Sequence, residues 1–139
     1  MRKLNLLLSA LLLLQPEFAW QASRVVPTRV VGLLYPRLAL LAGIQGSVVV
    51  EAYVDENGTV RRTIGISGNP LLLQAARDSL QRWRFSGCSS AVNDCKIKIT
   101  FQFMLVDGTC NVSECQSHTI FDLPDRVEIS SKHALAIIN

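Results

Sequence analysis

The chain has 139 residues, with 14 basic and 11 acidic side chains, 49% hydrophobic positions and four cysteines. That length suits one domain, and the apolar content excludes a disordered, solvated chain. A formal charge of +3 is too small for a nucleic-acid-binding face, so no nucleic-acid partner is expected.

Arg2 and Lys3 precede an apolar run from Leu6 to Leu14, closed by Gln15 and Pro16. A membrane-spanning helix needs about 20 apolar residues. This shorter run, behind its basic pair, fits the core of a secretory signal, with Ala22 as the last residue removed. The alternative is an uncleaved anchor extended through Phe18, Ala19 and Trp20, which would keep the chain associated with the inner membrane. Either way the chain is expected outside the cytoplasm.

Residues 23–34, with Pro27 and Gly32, form a short lead. Tyr35-Pro36 then opens an apolar stretch, Leu38-Ala39-Leu40-Leu41-Ala42, stopped by Gly43; proline in the first turn and glycine past the end predict a short helix. From Ser47 to Val54, Val48, Val50, Ala52 and Val54 alternate with Val49, Glu51 and Tyr53, the period of a strand. Asp55-Glu56-Asn57-Gly58 is a hairpin turn, since Asn-Gly readily supplies positive φ. The return strand, residues 59–67, is read with Val60, Ile64 and Ile66 on one side and Arg62 breaking that face.

Asn69 as N-cap and Pro70 at the first helical position begin a second helix. Leu72, Ala76, Leu80 and Trp83 recur at helical spacing and face a core, while Gln74, Arg77, Asp78 and Gln81 point elsewhere. Trp83 and Phe85 are expected to plug one end of that core. Ile97, Ile99, Phe101, Phe103 and Leu105 alternate with Lys98, Thr100, Gln102 and Met104, so residues 96–106 read as one long strand. The order helix, strand, strand, helix, strand predicts an α+β fold. Two helices pack on one face of a three-stranded antiparallel sheet, followed by a disulfide-bearing C-terminal extension. In that extension Arg126-Val127-Glu128-Ile129-Ser130 alternates again, and a strand or two covering a sheet edge is expected there.

In an exported chain an even number of cysteines favours disulfides. Cys88, Cys95, Cys110 and Cys115 are separated by six, fourteen and four residues, and the first gap is too long for a zinc ribbon's close pairs. The 96–106 strand would hold Cys95 and Cys110 over 30 Å apart at roughly 3.3 Å per residue, beyond the reach of a disulfide. Pairing Cys88 with Cys110 and Cys95 with Cys115 would need the tail to double back. The local bridges Cys88–Cys95 and Cys110–Cys115 are therefore expected.

Catalysis finds little support. His118 and His133 both lie in the tail with no nucleophile fixed beside either, and Asp55, Glu56 and Asp107 follow turn logic. Gly65-Ile66-Ser67-Gly68 lacks the final glycine of a nucleophile elbow, because Asn69 stands there to cap a helix. No phosphate-cradling loop or dinucleotide fingerprint occurs, so neither enzyme activity nor a cofactor or metal is expected.

Tyr35-Pro36, Ala39, Gly46, Val54-Asp55, Gly58, Val60, Ser67-Gly68, Leu72, Ala75-Ala76 and Trp83-Arg84-Phe85 stand in an order that resembles the TonB C-terminal domain family. The resemblance spans about residues 33–106. It implies a periplasmic domain, residues 35–106, between a leader (1–22) with lead (23–34) and a cysteine-containing tail (107–139). It further implies a sheet edge that captures an extended peptide of an outer-membrane receptor, in energy-coupled transport. β-Strand addition supplies the physics, because an edge strand offers unpaired N–H and C=O groups to a foreign backbone. The candidate edge is Lys96, Ile97, Lys98, Ile99, Thr100, Phe101, Gln102 and Phe103, with Lys96 and Lys98 inclined toward an acidic peptide and Thr100 the natural position for a proline test.

Two departures stand out. Ser86-Gly87-Cys88 replaces the proline the family places after Trp-x-Phe, and a twelve-residue lead, at most about 40 Å long, replaces the long Pro-rich spacer of a full transducer. The second reading is accordingly a stand-alone envelope adaptor or scaffold, binding another envelope protein without energy coupling.

Overall fold

A computed structural model describes residues 25–89 and 94–136; the expected leader, residues 1–22, lies outside them. In chain order the described elements are β1 (Pro27–Arg29), α1 (Arg37–Ala42), β2 (Gly46–Val54), β3 (Val60–Ser67), α2 (Pro70–Leu80), β4 (Arg84–Phe85), β5 (Cys95–Asn111), β6 (His118–Asp122) and β7 (Arg126–Leu135).

The two helices form as their punctuation dictates. Pro36 precedes α1, and Gly43 closes it in the left-handed region at φ 66°. Asn69 caps α2 by accepting the Leu71 N–H on its side chain, with Pro70 at the first position. Leu72, Ala76 and Leu80 are buried, as is Ser79 between them.

The expected three-stranded antiparallel sheet is overturned. The sheet has five strands in the order β3-β2-β5-β7-β6, and β1 and β4 make a separate two-stranded ribbon. β2 pairs antiparallel with β3 and β5, but β7 lies parallel to β5, so the sheet is mixed. The cause is the tail. Val127 and Ile129 are fully buried and pair beside Phe101 and Phe103, so their alternating strand extends the apolar face of the sheet. β6 then folds back antiparallel on β7.

A second correction concerns β3. The register shifts between Tyr53–Arg62 and Val54–Val60, a bulge that puts one extra residue in β3. Val60 is thereby turned into the core, whereas Ile64, opposite Glu51, faces the other side of the sheet, and Ile66 lies at a second register shift; both are exposed.

The core lies between the sheet and the helices. Trp83 is its centre, fully buried against Phe85, Phe101 and Phe121 at ring separations of 6.1, 6.1 and 5.7 Å. Its indole N–H reaches the Val31 carbonyl and the Ser79 hydroxyl, each at 3.2 Å, and that hydroxyl donates to the same carbonyl at 2.7 Å. The lead is thus stitched into the fold. At the opposite end Tyr35 packs edge-on against Phe103 and donates its hydroxyl to Ile44 at 2.6 Å; burial pushes its pKa up to about 12. Among the described residues no helix is long and apolar enough to cross a membrane.

Candidate peptide-docking rim

The four cysteines pair locally, Cys88–Cys95 and Cys110–Cys115, with Cα separations of 5.6 and 5.3 Å. The first bridge fixes the start of β5, the strand that carries every candidate edge residue.

β5 has two neighbours of unequal length. β2 pairs with it from Cys95 to Phe103, while β7 joins only at Thr100. Thr100, Phe101, Gln102 and Phe103 are therefore closed on both sides by the chain itself. Among the described residues, Lys96, Ile97, Lys98 and Ile99 have a strand on one side only. Sequence reasoning grouped all eight, and the structure divides them at Thr100.

Backbone direction follows from one bond. Thr100 donates its N–H to the Asp125 carbonyl at 2.8 Å, so its polar groups point away from β2. Alternation along a strand then points the N–H and C=O of Lys98 and Lys96 the same way, and those of Ile97 and Ile99 toward β2. No described residue pairs with β5 on that side before Thr100. The rim spans residues 95–99, roughly 16 Å at 3.3 Å per residue.

This rim faces a groove of about 330 Å³ lined by Val25, Val26, Ile97, Ile99, Pro124 and Asp125, together with Cys95 and the two lysines. The Val25-Val26 wall is fixed by two hydrogen bonds to Ser86: Val26 donates its N–H to the Ser86 hydroxyl at 2.9 Å, and the Val26 carbonyl accepts the Ser86 N–H at 2.8 Å. Pro124 and Asp125 block the far end. Neither wall carried a signal in the sequence, because the lead lacks periodicity and Pro124-Asp125 reads as a turn.

The other rims are managed. On β3 the Val60 carbonyl accepts from the Gln81 side chain at 2.9 Å, and the Thr63 carbonyl from Arg77 at 3.2 Å. Beside β6 the lead runs close, with Tyr35 N–H on the Ser117 hydroxyl at 2.8 Å and the Thr119 hydroxyl on the Leu33 carbonyl at 3.4 Å. Side chains and covering segments are the usual protections of an edge; among the described residues, the 95–99 stretch has no strand paired on its outer side and is flanked by the Val25-Val26 and Pro124-Asp125 walls.

The sheet face away from the helices adds charge beside the rim. Lys96 lies 3.9 Å from Glu51, which is buried and accepts the Tyr53 hydroxyl at 2.8 Å; Arg62 stacks 4.0 Å above the Tyr53 ring. Lys98 stands opposite Glu51 in the ladder and is exposed. The residues weighed for catalysis lie elsewhere: Asp55 accepts the Asn57 and Thr59 N–H groups of its turn, and Ser67 ends β3. Exposed His118 and His133 fall on β6 and β7. Among the described residues no group of three or more His, Cys, Asp or Glu is placed to hold a metal.

A family model described as Gram-negative bacterial TonB protein C-terminal matches residues 31–105, more than half of the chain. Among solved structures, the solution NMR structure of the Pseudomonas aeruginosa TonB CTD is similar, with a TM-score of 0.48 and 21% identity, covering 64% of this chain and 94% of that one. A search of curated proteins finds no match.

Proposed function

Because this chain belongs to the TonB C-terminal family, we propose that it docks an extended segment of an outer-membrane receptor, by strand addition at the 95–99 rim, in the periplasm. The observation that carries the reading is the backbone of Lys96 and Lys98, which no described strand pairs on the side of an apolar-walled groove. Two N–H and two C=O groups, at about 1 kcal/mol net each, give about 4 kcal/mol. Apolar contact with Val25, Val26 and Pro124 adds to this, and the entropy of association opposes it. Binding is therefore weak and reversible, in the micromolar to millimolar range. Lys98 and Lys96 favour acidic side chains on one face of the peptide, and the groove favours apolar ones on the other.

The test is a titration of isotope-labelled, oxidised protein with a synthetic pentapeptide alternating glutamate and valine. Amide shifts confined to residues 95–99 and to Val25 and Val26 are expected. Shifts elsewhere, or none at millimolar peptide, reject the rim.

One observation favours the adaptor as a second reading. Residues 25–35 are consumed by the fold, through Val26 on Ser86, β1 on β4 and Val31 under Trp83, so this stretch is not a free spacer. Cell fractionation separates the readings: salt-resistant retention on the inner membrane supports energy-coupled transport, and release with the soluble periplasm supports an adaptor.

A further inference from the structure

The rim begins at a cysteine, and that cysteine is the one residue shared by the groove and the Cys88–Cys95 bridge. A strand segment paired on one side only is where local opening concentrates. Among the described residues β2 is the one strand paired with residues 95–99, and their first residue is tied down by the disulfide. Cys88 is a firm anchor. It is buried, and its N–H donates to the Asp55 carbonyl at 2.9 Å. Gly87 before it lies so close to the turn that an added Cβ would stand 2.1 Å from the Glu56 carbonyl oxygen. The bridge therefore couples the open rim to the rigid 55–58 hairpin turn.

We propose that the Cys88–Cys95 disulfide is a redox latch for the docking rim, an inference that rests on the peptide-docking reading above. The reductant is a dithiol, small or carried by a protein. One thiolate attacks the Cys95 sulfur, which lines the groove, in preference to the buried Cys88 sulfur. The S–S bond breaks and Cys88 leaves as a thiolate that takes up a proton. The second thiol of the reductant then displaces Cys95, closing the reductant's own disulfide and leaving two protein thiols. Two electrons and two protons pass to the protein. Freed of its anchor, the start of β5 frays and the groove loses the strand that a peptide would join. By linkage a bound peptide makes the bridge harder to reduce, and by covering Cys95 it also slows attack there.

The experiment follows amide hydrogen exchange at Ile97 and Ile99, whose N–H groups point to β2, with Val127 and Ile129 reporting the fold as a whole. In a Cys88→Ser/Cys95→Ser variant, exchange at Ile97 and Ile99 is expected to rise at least tenfold while Val127 and Ile129 stay within about twofold. Affinity for the glutamate–valine pentapeptide falls at least tenfold in parallel. A Cys110→Ser/Cys115→Ser variant leaves all of these unchanged. The pentapeptide at saturation slows reduction of Cys88–Cys95 by dithiothreitol several-fold. Unchanged exchange at Ile97 and Ile99 overturns the latch. Should the first variant not fold, graded dithiothreitol on the native chain gives the same reading, and simultaneous loss of protection at all four amides overturns it as well. Absence of peptide binding by the oxidised chain rejects the docking reading instead, and the exchange data still decide whether the bridge orders the rim.

Discussion

Thr100 donates its backbone N–H to the carbonyl of Asp125 at 2.8 Å, and beyond that bond β5 is flanked on both sides. Proline substitutions on either side of it should separate binding from stability. Lys98→Pro removes an N–H that faces the groove, a position where an edge strand tolerates proline. It should cost about 1 kcal/mol in urea unfolding and abolish peptide shifts. Thr100→Pro removes a ladder bond inside the sheet and should cost about 3 kcal/mol. Equal losses for the two variants would contradict the direction assigned to the Lys98 N–H.

Trp83 should be the most costly residue to truncate. Its ring fills the centre of the core and its N–H is shared between Val31 and Ser79. Trp83→Ala is expected to lose about 3–5 kcal/mol. Ser79→Ala leaves the indole its bond to Val31 and should lose only about 1–2 kcal/mol, both measured by chemical denaturation.

Alkaline pH should weaken the fold through Tyr35. Its pKa is raised by burial, to about 12 from 10, so the folded state favours the neutral phenol. The stabilisation is complete below pH 10 and is lost as pH rises through 12. The loss should be on the order of 2 kcal/mol. In Tyr35→Phe the stability difference from the native chain should be constant below pH 10 and narrow above it; a difference independent of pH would reject this assignment.

Two glycines should respond differently to alanine. Gly58 has φ 78°, and a Cβ there would stand 1.9 Å from the Phe85 carbonyl oxygen, so the hairpin and β4 must separate. Gly46 has φ 137° with nothing within 4 Å of the added atom. Gly46→Ala should cost about 1–2 kcal/mol of backbone strain, and Gly58→Ala distinctly more. Thermal unfolding of the two variants ranks them directly.

What the sequence made legible was local. The caps at Pro36, Gly43, Asn69 and Pro70, the apolar face Leu72-Ala76-Leu80-Trp83, and both disulfides depend on residues close along the chain. The alternation from Arg126 to Ser130 was visible too, but its partner and direction were not, because a strand's period says nothing about which neighbour it joins. That single long-range pairing turned a three-stranded expectation into a five-stranded sheet. It also decided the candidate site: Lys96 and Thr100 read alike in sequence, and only the starting point of β7 divides them. The bulge at Val60 escaped for a related reason. One inserted residue reverses the facing of Ile64 relative to Val60 while leaving their spacing untouched.

The placement of β7 beside the middle strand has a bearing on how the molecule comes into being. Polypeptides are made from the amino end, so Val127 and Ile129 emerge after Phe101 and Phe103 although they lie at zero exposure. Until they do, Phe101 and Phe103 have no neighbour on that flank, so a nascent chain remains a client for holding chaperones. A stop codon before Ile129 would remove not a fringe but part of the hydrophobic centre, and the product should be degraded rather than merely shortened.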